Sequence, residues 1–252
     1  MTPAAVFDHM AANYDALWTA TPVGRAQRDQ VWRVIDGLFA PCERVLDIGC
    51  GTGEDALHLM ARGVDMVAVD ASAEMVAVAR SRGVAAYVAS FARLRDEGVP
   101  RGRGRPPHNF DGGMSNFGAW NCVADLRGAA REIAGVVRPG GHVAICLMGR
   151  VCMWETLYYV MRVQFRKALR RLRTAEYRGM TVYYPSVGEM RAAFSEHFEV
   201  LRWTGVGLFV PPSYVKIPAL LVRVLAVCDR LLAGLPLLRA FADHRLFILV
   251  RK

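Results

Sequence analysis

The sequence predicts an α/β protein with a doubly wound, mostly parallel sheet of seven strands. Residues 44–70 have the pattern of a strand, a glycine-rich turn, a helix and a second strand, the order that builds parallel sheets. Five further apolar segments rich in β-branched residues follow along the chain. Hydrophobic residues make up 53% of the 252 positions, which is enough for a full core and too much for a disordered chain.

The first unit carries the strongest pattern in the chain. Residues 44–48 read as a buried strand, residues 54–61 as a helix that Gly63 can end, and residues 66–69 as the second strand. Three glycines at alternate positions, 49, 51 and 53, fill the turn. Glycine tolerates positive φ and lets a ligand approach the backbone, and the amides that begin the helix offer hydrogen-bond donors.

An acid follows the second strand, at Asp70. A carboxylate at that strand end can accept hydrogen bonds from both hydroxyls of a ribose, so the unit should hold an adenosine-type ligand in the crevice beyond the strand ends. The dinucleotide pattern G-x-G-x-x-G is incomplete, because Glu54 or Ala56 occupies the position of its third glycine. The incomplete pattern weakens the interpretation of this unit as a dinucleotide site, but that interpretation stays open.

Residues 47–53, Asp-Ile-Gly-Cys-Gly-Thr-Gly, resemble motif I of the class I S-adenosylmethionine-dependent methyltransferases of small molecules. A second resemblance is the Arg-Pro-Gly-Gly run at 138–141, which precedes a strand at the expected distance. The resemblance implies a Rossmann-like fold with helical cap insertions and S-adenosyl-L-methionine as the cofactor. It implies the following cofactor-binding residues: Tyr14, Arg25, Asp47, Gly49, Cys50, Gly51, Gly53, Asp70, Ala71, Met75, Ser90, Phe91 and Asn116.

The resemblance also gives some of these residues a role. Tyr14 would belong to an N-terminal lid and close over the methionine part of the cofactor, although an aromatic residue there could equally pack a helix onto the sheet. Arg25 is the candidate cation for the cofactor carboxylate. Ser90 stands where the family usually has an acid near the adenine amino group, so this chain departs from the family there. Asn116 should face the amino acid end of the cofactor.

The remaining elements of the first half follow from local signals. Residues 1–40 look helical, with a helix over 27–39, and Ser72 is a good N-cap for a helix over 73–81. Apolar residues at 84–88 predict the third strand.

Glycine and proline interrupt the chain at 95–107, which predicts a surface loop. Residues 109–120 read as the fourth strand and its exit loop, and residues 125–137 as the next helix. The run at 138–141 predicts a tight turn into the fifth strand at 142–148.

The second half departs from the core pattern. Apolar residues recur at helical spacing between Leu157 and Leu172, and a basic stripe lies on another face, formed by Arg162, Arg166, Arg170 and Arg173. This stripe could meet an anionic substrate, an acidic carrier protein or an anionic membrane, or it could be a solvated face.

Ser186 and Glu189 form a capping-box pattern that begins a helix over 187–194. Residues 198–206 and 244–251 read as the last two strands, which the family pairs antiparallel. A second amphipathic insertion, residues 218–238, lies between them.

These signals divide the chain into four parts. They are a helical lid (1–40), the cofactor-binding core (41–150), a cap insertion with a helix (151–197), and the last strands with their insertion (198–252). Substrate contacts are expected at Phe117, Trp120, Tyr183 and Tyr184. If a general base is used, the candidates are Tyr183, Tyr184 and His9, and no spacing singles out one of them.

Composition limits the partners and the compartment. The net charge of +9 indicates either anionic partners or simply an arginine-rich composition. Six cysteines without metal-ligand spacing favour reduced thiols in the cytoplasm, and no metal site is expected. No signal peptide or membrane-spanning segment is predicted. We expect a small-molecule substrate and no DNA partner.

The resemblance implies an enzyme that methylates a small, lipophilic or aromatic acceptor at oxygen or carbon by in-line transfer. Aligning the two reactants and excluding water would be its main contribution. Two other functions stay open at this point. One is an NAD-dependent oxidoreductase, and the other is a non-catalytic RNA-binding or regulatory protein with a methyltransferase-like fold.

Overall fold

The computed structural model describes residues 2–92, 94, 110–213, 215 and 217–252. The N-terminal segment is helical and is followed by alternating strands and helices. Its elements are α1 (Pro3–Met10), a 3₁₀ turn (Ala11–Asn13), a π-helix (Asp15–Thr19) and α2 (Pro22–Ile35). The core elements are β1 (Arg44–Ile48), α3 (Glu54–Met60), β2 (Asp65–Asp70), α4 (Ala73–Ser81), β3 (Ala85–Val88), β4 (Phe110–Ser115), α5 (Leu126–Val136) and β5 (Val137–Met148).

The second half adds a cap, an edge of the sheet and a further helix. Its elements are α6 (Met153–Met161), α7 (Phe165–Ala168), β6 (Ala175–Tyr177), β7 (Met180–Val182), α8 (Val187–Phe194), β8 (Phe198–Val206), α9 (Ala219–Leu232) and β9 (His244–Arg251). β6 and β7 form a separate hairpin within the cap.

The main sheet has seven strands in the order β3-β2-β1-β4-β5-β9-β8. The first five strands are parallel, while β9 runs antiparallel between β5 and β8. This arrangement confirms the predicted doubly wound, mostly parallel sheet. Since β1 is flanked by β2 and β4, the carboxyl ends of these three strands meet at one edge, the place where ligands bind in such sheets.

An apolar core covers each face of the sheet. On one face α5 and α8 bury Trp120, Phe194 and Phe247. On the other face α2, α3 and α4 bury residues such as Ile35 and Leu59. Helices on both faces are what the continuous apolar runs of parallel strands require.

The sequence predicted the bounds of a helix or strand accurately where a local signal, such as a capping residue, sets the end of that element. The side chain of Ser72 caps α4 and accepts from the amide of Met75 at 3.1 Å. Ser186 and Glu189 form the predicted capping box of α8. β1, β8 and β9 have the predicted bounds.

Two predicted boundaries were wrong. The second N-terminal helix begins at Pro22, capped by Thr21, and ends at Ile35, because Thr-Pro is a strong start signal. The predicted tight turn at 138–141 lies inside β5, where the pairing with β4 shifts register between Phe110 and Gly112. The extra residues form a bulge that Gly140, with φ of +76°, makes possible.

The structure of the cap contradicts the prediction of a helix with a basic stripe. The helical spacing between Leu157 and Leu172 does not form one helix, since α6 ends at Met161 and Val163 adopts a φ of +57°. The basic residues therefore do not form a stripe along one helix, and Arg170 instead pairs with the buried Glu155.

The predicted loop at 95–107 lies outside the described residues. No helix in the part of the chain that the structure describes is long and apolar enough to span a bilayer.

Candidate active site

Two adjoining cavities lie at the carboxyl edge of the sheet. The first cavity has a volume of about 660 Å³ and is lined by the glycine turn, the end of β2 and the loops after β3 and β4. The second cavity, of about 490 Å³, lies between the N-terminal segment, the cap and the start of β9. The residues that line both are Phe7, Tyr14, Arg28, Phe117 and Cys122. Each volume is in the range of small-molecule sites.

The glycine turn gives the first cavity its backbone wall. Gly49, Cys50 and Gly51 line the cavity, and Gly51 has a φ of +53° with its nearest neighbour, Tyr14 Cε1, 4.0 Å from where a Cβ would lie. Gly53 does not line the cavity. Its φ is +82°, and a Cβ there would lie 3.1 Å from the Ala79 side chain, so this glycine serves the packing of α3 against α4.

Asp70 ends β2 and lines the first cavity. Its two oxygens accept hydrogen bonds from the backbone amides of Gly51 and Ser72, each at 2.9 Å. Burial raises the pKa of the Asp70 carboxyl, while these amide bonds act in the opposite direction. Because each carboxylate oxygen can accept more than one hydrogen bond, Asp70 can hold the turn and still accept from two ligand hydroxyls.

Asp47 lies at the end of β1 and is buried, but it does not line either cavity. Its Oδ2 has no hydrogen-bond partner among the described residues. Burial raises the pKa of this carboxyl well above its usual range, and the neighbouring Asp55 acts in the same direction. Asp47 therefore does not line the cavity where its contact with the cofactor was expected, and its carboxyl lies within the core.

Two acids bind the N-terminal segment to the cofactor-binding core, one at the start of α4 and one at the glycine turn. Asp8 accepts from the hydroxyl of Ser72 at 2.6 Å, and Asp15 accepts from the hydroxyl of Thr52 at 2.7 Å. These bonds hold Tyr14 in the wall between the two cavities. Burial raises the pKa of the Tyr14 hydroxyl, so this group is neutral at physiological pH.

Arg28, and not Arg25, reaches the cavities. Arg25 lies at the surface, pairs with Glu54 at 2.8 Å and lines neither cavity. Arg28 lies one turn further along α2, is buried against Asp55, and has its guanidinium 5.0 Å from the centre of the Phe117 ring. The packing of α2 against Asp55 buries Arg28 and leaves Arg25 exposed, which the sequence alone does not show.

The far part of the first cavity collects the other predicted cofactor residues. These are Ala71, Met75, Ser90, Phe91 and Asn116. The side-chain Nδ2 of Asn116 is buried and has no hydrogen-bond partner among the described residues. An unpaired buried donor is costly, and a ligand in this cavity would provide its partner.

Only two of the predicted substrate residues line the second cavity, Phe117 and Tyr184. Trp120 is wrong as a substrate contact, because the 3₁₀ turn at Ala119–Cys122 directs the indole into the core against Phe91 and Phe194. Tyr183 lines neither cavity, and its backbone pairs with Asn121.

The predicted general bases are also separated by the fold. His9 is exposed on α1 and lines neither cavity. Tyr184 lines the second cavity, and burial raises the pKa of its hydroxyl, which makes it a poor base at neutral pH.

A buried polar cluster that the sequence analysis missed lies at the wall of the second cavity. Arg171 donates to Asp243 Oδ1 at 2.8 Å and to Glu155 Oε2 at 2.9 Å, and His244 follows Asp243. Of this cluster only the position of His244 could be expected from the sequence, because an antiparallel last strand brings its first residue beside the end of β5. The register indeed pairs His244 with Met148.

The first cavity fits an adenosine-type ligand. A strand-end carboxylate, an open glycine backbone and a buried unpaired donor surround it. Within residues 2–92, 94, 110–213, 215 and 217–252, no cluster of three or more His, Cys, Asp or Glu could hold a metal ion.

Comparisons with known proteins agree with this geometry. A family model described as a methyltransferase domain matches residues 46–145. The chain is 31% identical over 216 residues to a demethylmenaquinone methyltransferase of Mycolicibacterium gilvum, with 81% of this chain and 86% of that protein covered.

Solved structures share the fold at low identity. An S-adenosylmethionine-dependent methyltransferase of Thermotoga maritima, described as a possible histamine N-methyltransferase, has a TM-score of 0.61 at 17% identity over 99% of both chains. One from Mesorhizobium loti has a TM-score of 0.58 at 16% identity over 88% of this chain and 97% of that one.

Proposed function

The chain belongs to the class I S-adenosylmethionine-dependent methyltransferases, and from this we propose that its acceptor is a lipophilic phenol or quinol. The observation that carries the proposal is the shared wall of the two cavities, at Tyr14, Arg28 and Phe117. One cavity has the groups for the methyl donor, and the other is available for the acceptor beside it. Family membership also removes the oxidoreductase and the non-catalytic alternatives.

The first cavity is the proposed cofactor site. Asp70 accepts from the ribose hydroxyls, Ser90 and Phe91 contact the adenine, and Arg28 and Asn116 face the methionine end. Arg28 takes the place that the sequence analysis gave to Arg25. S-adenosylmethionine, when bound, supplies a sulfonium methyl group that a nucleophile can displace in line.

The protein contributes alignment and exclusion of water. Tyr14 and Phe117 lie where the two cavities join, so they hold the acceptor in line with the methyl group. Well-oriented reactants can gain roughly 7–11 kcal/mol of the barrier from such positioning. Transfer to oxygen or to an activated ring carbon uses the same alignment.

The lining of the second cavity favours a lipophilic acceptor. Its apolar residues include Met10, Trp18, Met148, Met180 and Val182. Burying apolar surface is worth about 25 cal/mol per Å², so a long apolar substituent would bind strongly there. The relatives named demethylmenaquinone methyltransferase, among them that of M. gilvum, agree with a quinol acceptor.

The test is a methyl-transfer screen with labelled S-adenosylmethionine. Its acceptors are a prenylated naphthoquinol without the ring methyl, a prenylated phenol, and a small hydrophilic amine as the contrast. We expect label in the lipophilic products only. Transfer to the amine alone would contradict the proposal.

Gly51→Val is expected to abolish cofactor binding with a smaller effect on folding. The glycine has room for a Cβ in the absence of ligand, but its φ of +53° disfavours valine, and the side chain would block ligand approach. The measurement is thermal melting with and without S-adenosylmethionine. If the variant gains the wild-type stabilisation from the ligand, the turn does not cradle the cofactor.

We further propose that the cap contacts an anionic membrane surface that holds the acceptor. Residues 150–180 contain eight basic and two acidic residues, and one of those acids, Glu155, is buried and paired. Large apolar side chains are exposed beside these charges, such as Met161, Val163 and Phe165 at 69%, 74% and 57%. An apolar surface with basic residues around it is typical of interfacial binding.

The exposed residues of α9 extend this surface. Leu220 and Leu231 are 73% and 71% exposed. The two regions meet at Phe209, whose carbonyl accepts from Trp154 of α6 at 2.9 Å and whose amide donates to Asp229 of α9 at 2.7 Å. The cytoplasmic location indicated by six free cysteines is likewise a proposal, and the cap would then face the inner leaflet.

Replacing Arg162, Arg166 and Arg173 together by glutamine should weaken binding to vesicles of anionic phospholipid by roughly a hundredfold, because each basic residue near such a surface is worth about 1 kcal/mol. Arg170 stays unchanged, since it pairs with Glu155. Sedimentation with phosphatidylglycerol vesicles at low salt measures the loss.

The matched control removes the same charge elsewhere, in the variant with glutamine at the exposed Arg127, Arg191 and Arg202 of α5, α8 and β8. We expect this control to bind vesicles nearly as the wild type does. Equal losses in both variants would show that net charge, and not the cap, attracts the membrane. Cofactor affinity should be the same in all three proteins.

A further inference from the structure

His244 lies beside the junction of the two cavities. It begins β9 and pairs in register with Met148 at the carboxyl end of β5. Its imidazole lines the second cavity and packs edge-on against Phe117, with ring centres 5.2 Å apart. Phe117 lines both cavities, so the imidazole is next to the place where donor and acceptor meet.

The carboxylate of Asp243 lies beside this imidazole. The Nδ1 of His244 is buried and lies 3.4 Å from Asp243 Oδ2, and it makes no hydrogen bond within the described residues. Asp243 is in turn held by Arg171 at 2.8 Å and by Gln27 at 3.4 Å. With Nδ1 on the side of the carboxylate, Nε2 on the opposite edge of the ring is the nitrogen left for a ligand.

The surroundings keep the imidazole neutral. Burial lowers the pKa of His244 below its ordinary value, Arg171 acts in the same direction, and Asp243 opposes them. Other charged or titratable groups line the cavity from α2, the cap, the N-terminal segment and the loop after β4. They are Arg28, Arg170, Glu176, Tyr14, Tyr159, Tyr177, Tyr184 and Cys122. A neutral imidazole at pH 7 can accept a proton.

We propose that His244 is the general base of the methyl transfer and that Asp243 is its positioning residue; this inference rests on the proposed hydroxylated acceptor. Nε2 accepts the hydroxyl proton of the acceptor. At the same time the acceptor oxygen, or a ring carbon activated by that oxygen, forms a bond to the methyl carbon. The bond from that carbon to sulfur breaks, and its electron pair stays on sulfur. In oxygen transfer the proton leaves His244 for solvent. In carbon transfer the ring carbon also loses its proton and the oxygen regains one, so that one proton in all is released to solvent.

A first experiment needs no acceptor. The titration of His244 is followed by NMR of histidine-labelled protein, with the signal assigned by its loss in His244→Gln. A sulfonium cation close to the ring should hold the His244 pKa about one pH unit lower in complex with S-adenosylmethionine than in complex with S-adenosylhomocysteine. Equal titration in both complexes would show that the ring does not face the reacting methyl group and would overturn the proposal.

A second experiment uses the prenylated naphthoquinol. His244→Gln should lower kcat by roughly 10²- to 10⁴-fold, the usual contribution of a general base, with cofactor affinity and melting temperature near those of the wild type. The wild-type rate should fall as the pH drops through the His244 pKa. The variant should lose this acid limb, and its residual rate should rise with hydroxide concentration.

His142→Gln is the matched control, since His142 lies in the middle of the same strand, β5, where it pairs with Val250 near the far end of β9, and it lines neither cavity. It should keep the wild-type rate and pH profile. If His244→Gln keeps both as well, His244 is not the base. If the wild type methylates no hydroxylated acceptor, the proposed function fails, and the NMR titration still decides whether His244 faces the methyl group.

Discussion

Asp70→Ala should weaken S-adenosylmethionine binding by about a hundredfold. The carboxylate lines the first cavity at the end of β2, with both oxygens held by backbone amides. Two charge-assisted hydrogen bonds to the ribose would be lost, each worth roughly 1.5–3 kcal/mol. The lower limit of about 3 kcal/mol corresponds to about two orders of magnitude in the dissociation constant, which calorimetric titration measures.

The control for this variant lies on the same strand. Asp65→Ala removes an exposed acid at the other end of β2, which is 3.7 Å from Arg44. Exposed pairs contribute about 1 kcal/mol or less, and we expect unchanged cofactor affinity. An unchanged dissociation constant in Asp70→Ala would refute the ribose assignment.

Arg28→Met should cost roughly 3–5 kcal/mol of unfolding free energy, because it leaves the Asp55 carboxylate buried without its cation. Asp55 would keep only the hydrogen bond from Trp32 Nε1, at 2.7 Å. Urea denaturation measures the loss. Arg25→Met, on the same helix, breaks an exposed pair and should cost about 1 kcal/mol at most.

A double variant separates stability from cofactor binding. Arg28→Met with Asp55→Leu removes both buried charges, and replacing a buried pair by apolar residues is often neutral. We expect most of the stability to return. Affinity for S-adenosylmethionine should stay low, because the cation near the methionine carboxylate is missing. Full recovery of affinity would mean that Arg28 serves only the fold.

The core was predictable because its determinants are local. The glycine turn, the acid at Asp70 and the cap at Ser72 each act within a few residues of where they stand in the sequence. Such signals fixed β1 and α4 to the residue. The pairing of the last two strands followed from the family resemblance, and the register of β9 against β8 agrees with it.

The sequence predictions were wrong at residues whose positions depend on tertiary packing. Arg25 and Arg28 are only three residues apart on α2, yet Arg28 is buried and Arg25 is exposed, and the direction of Trp120 depends on a 3₁₀ turn. Asp243 and Arg171 are 72 positions apart in sequence, yet they form one ion pair. No periodicity in the chain links residues at such distance, so the polar cluster at the second cavity appears only in the folded protein.

The two cavities are lined by different parts of the chain. Every residue that lines the first cavity lies between positions 2 and 132, while the second adds residues from 148–184, 212–213 and 243–244. Under the roles proposed for the two cavities, laboratory selection for new acceptors should therefore concentrate substitutions in these later segments and leave the residues that line only the first cavity unchanged.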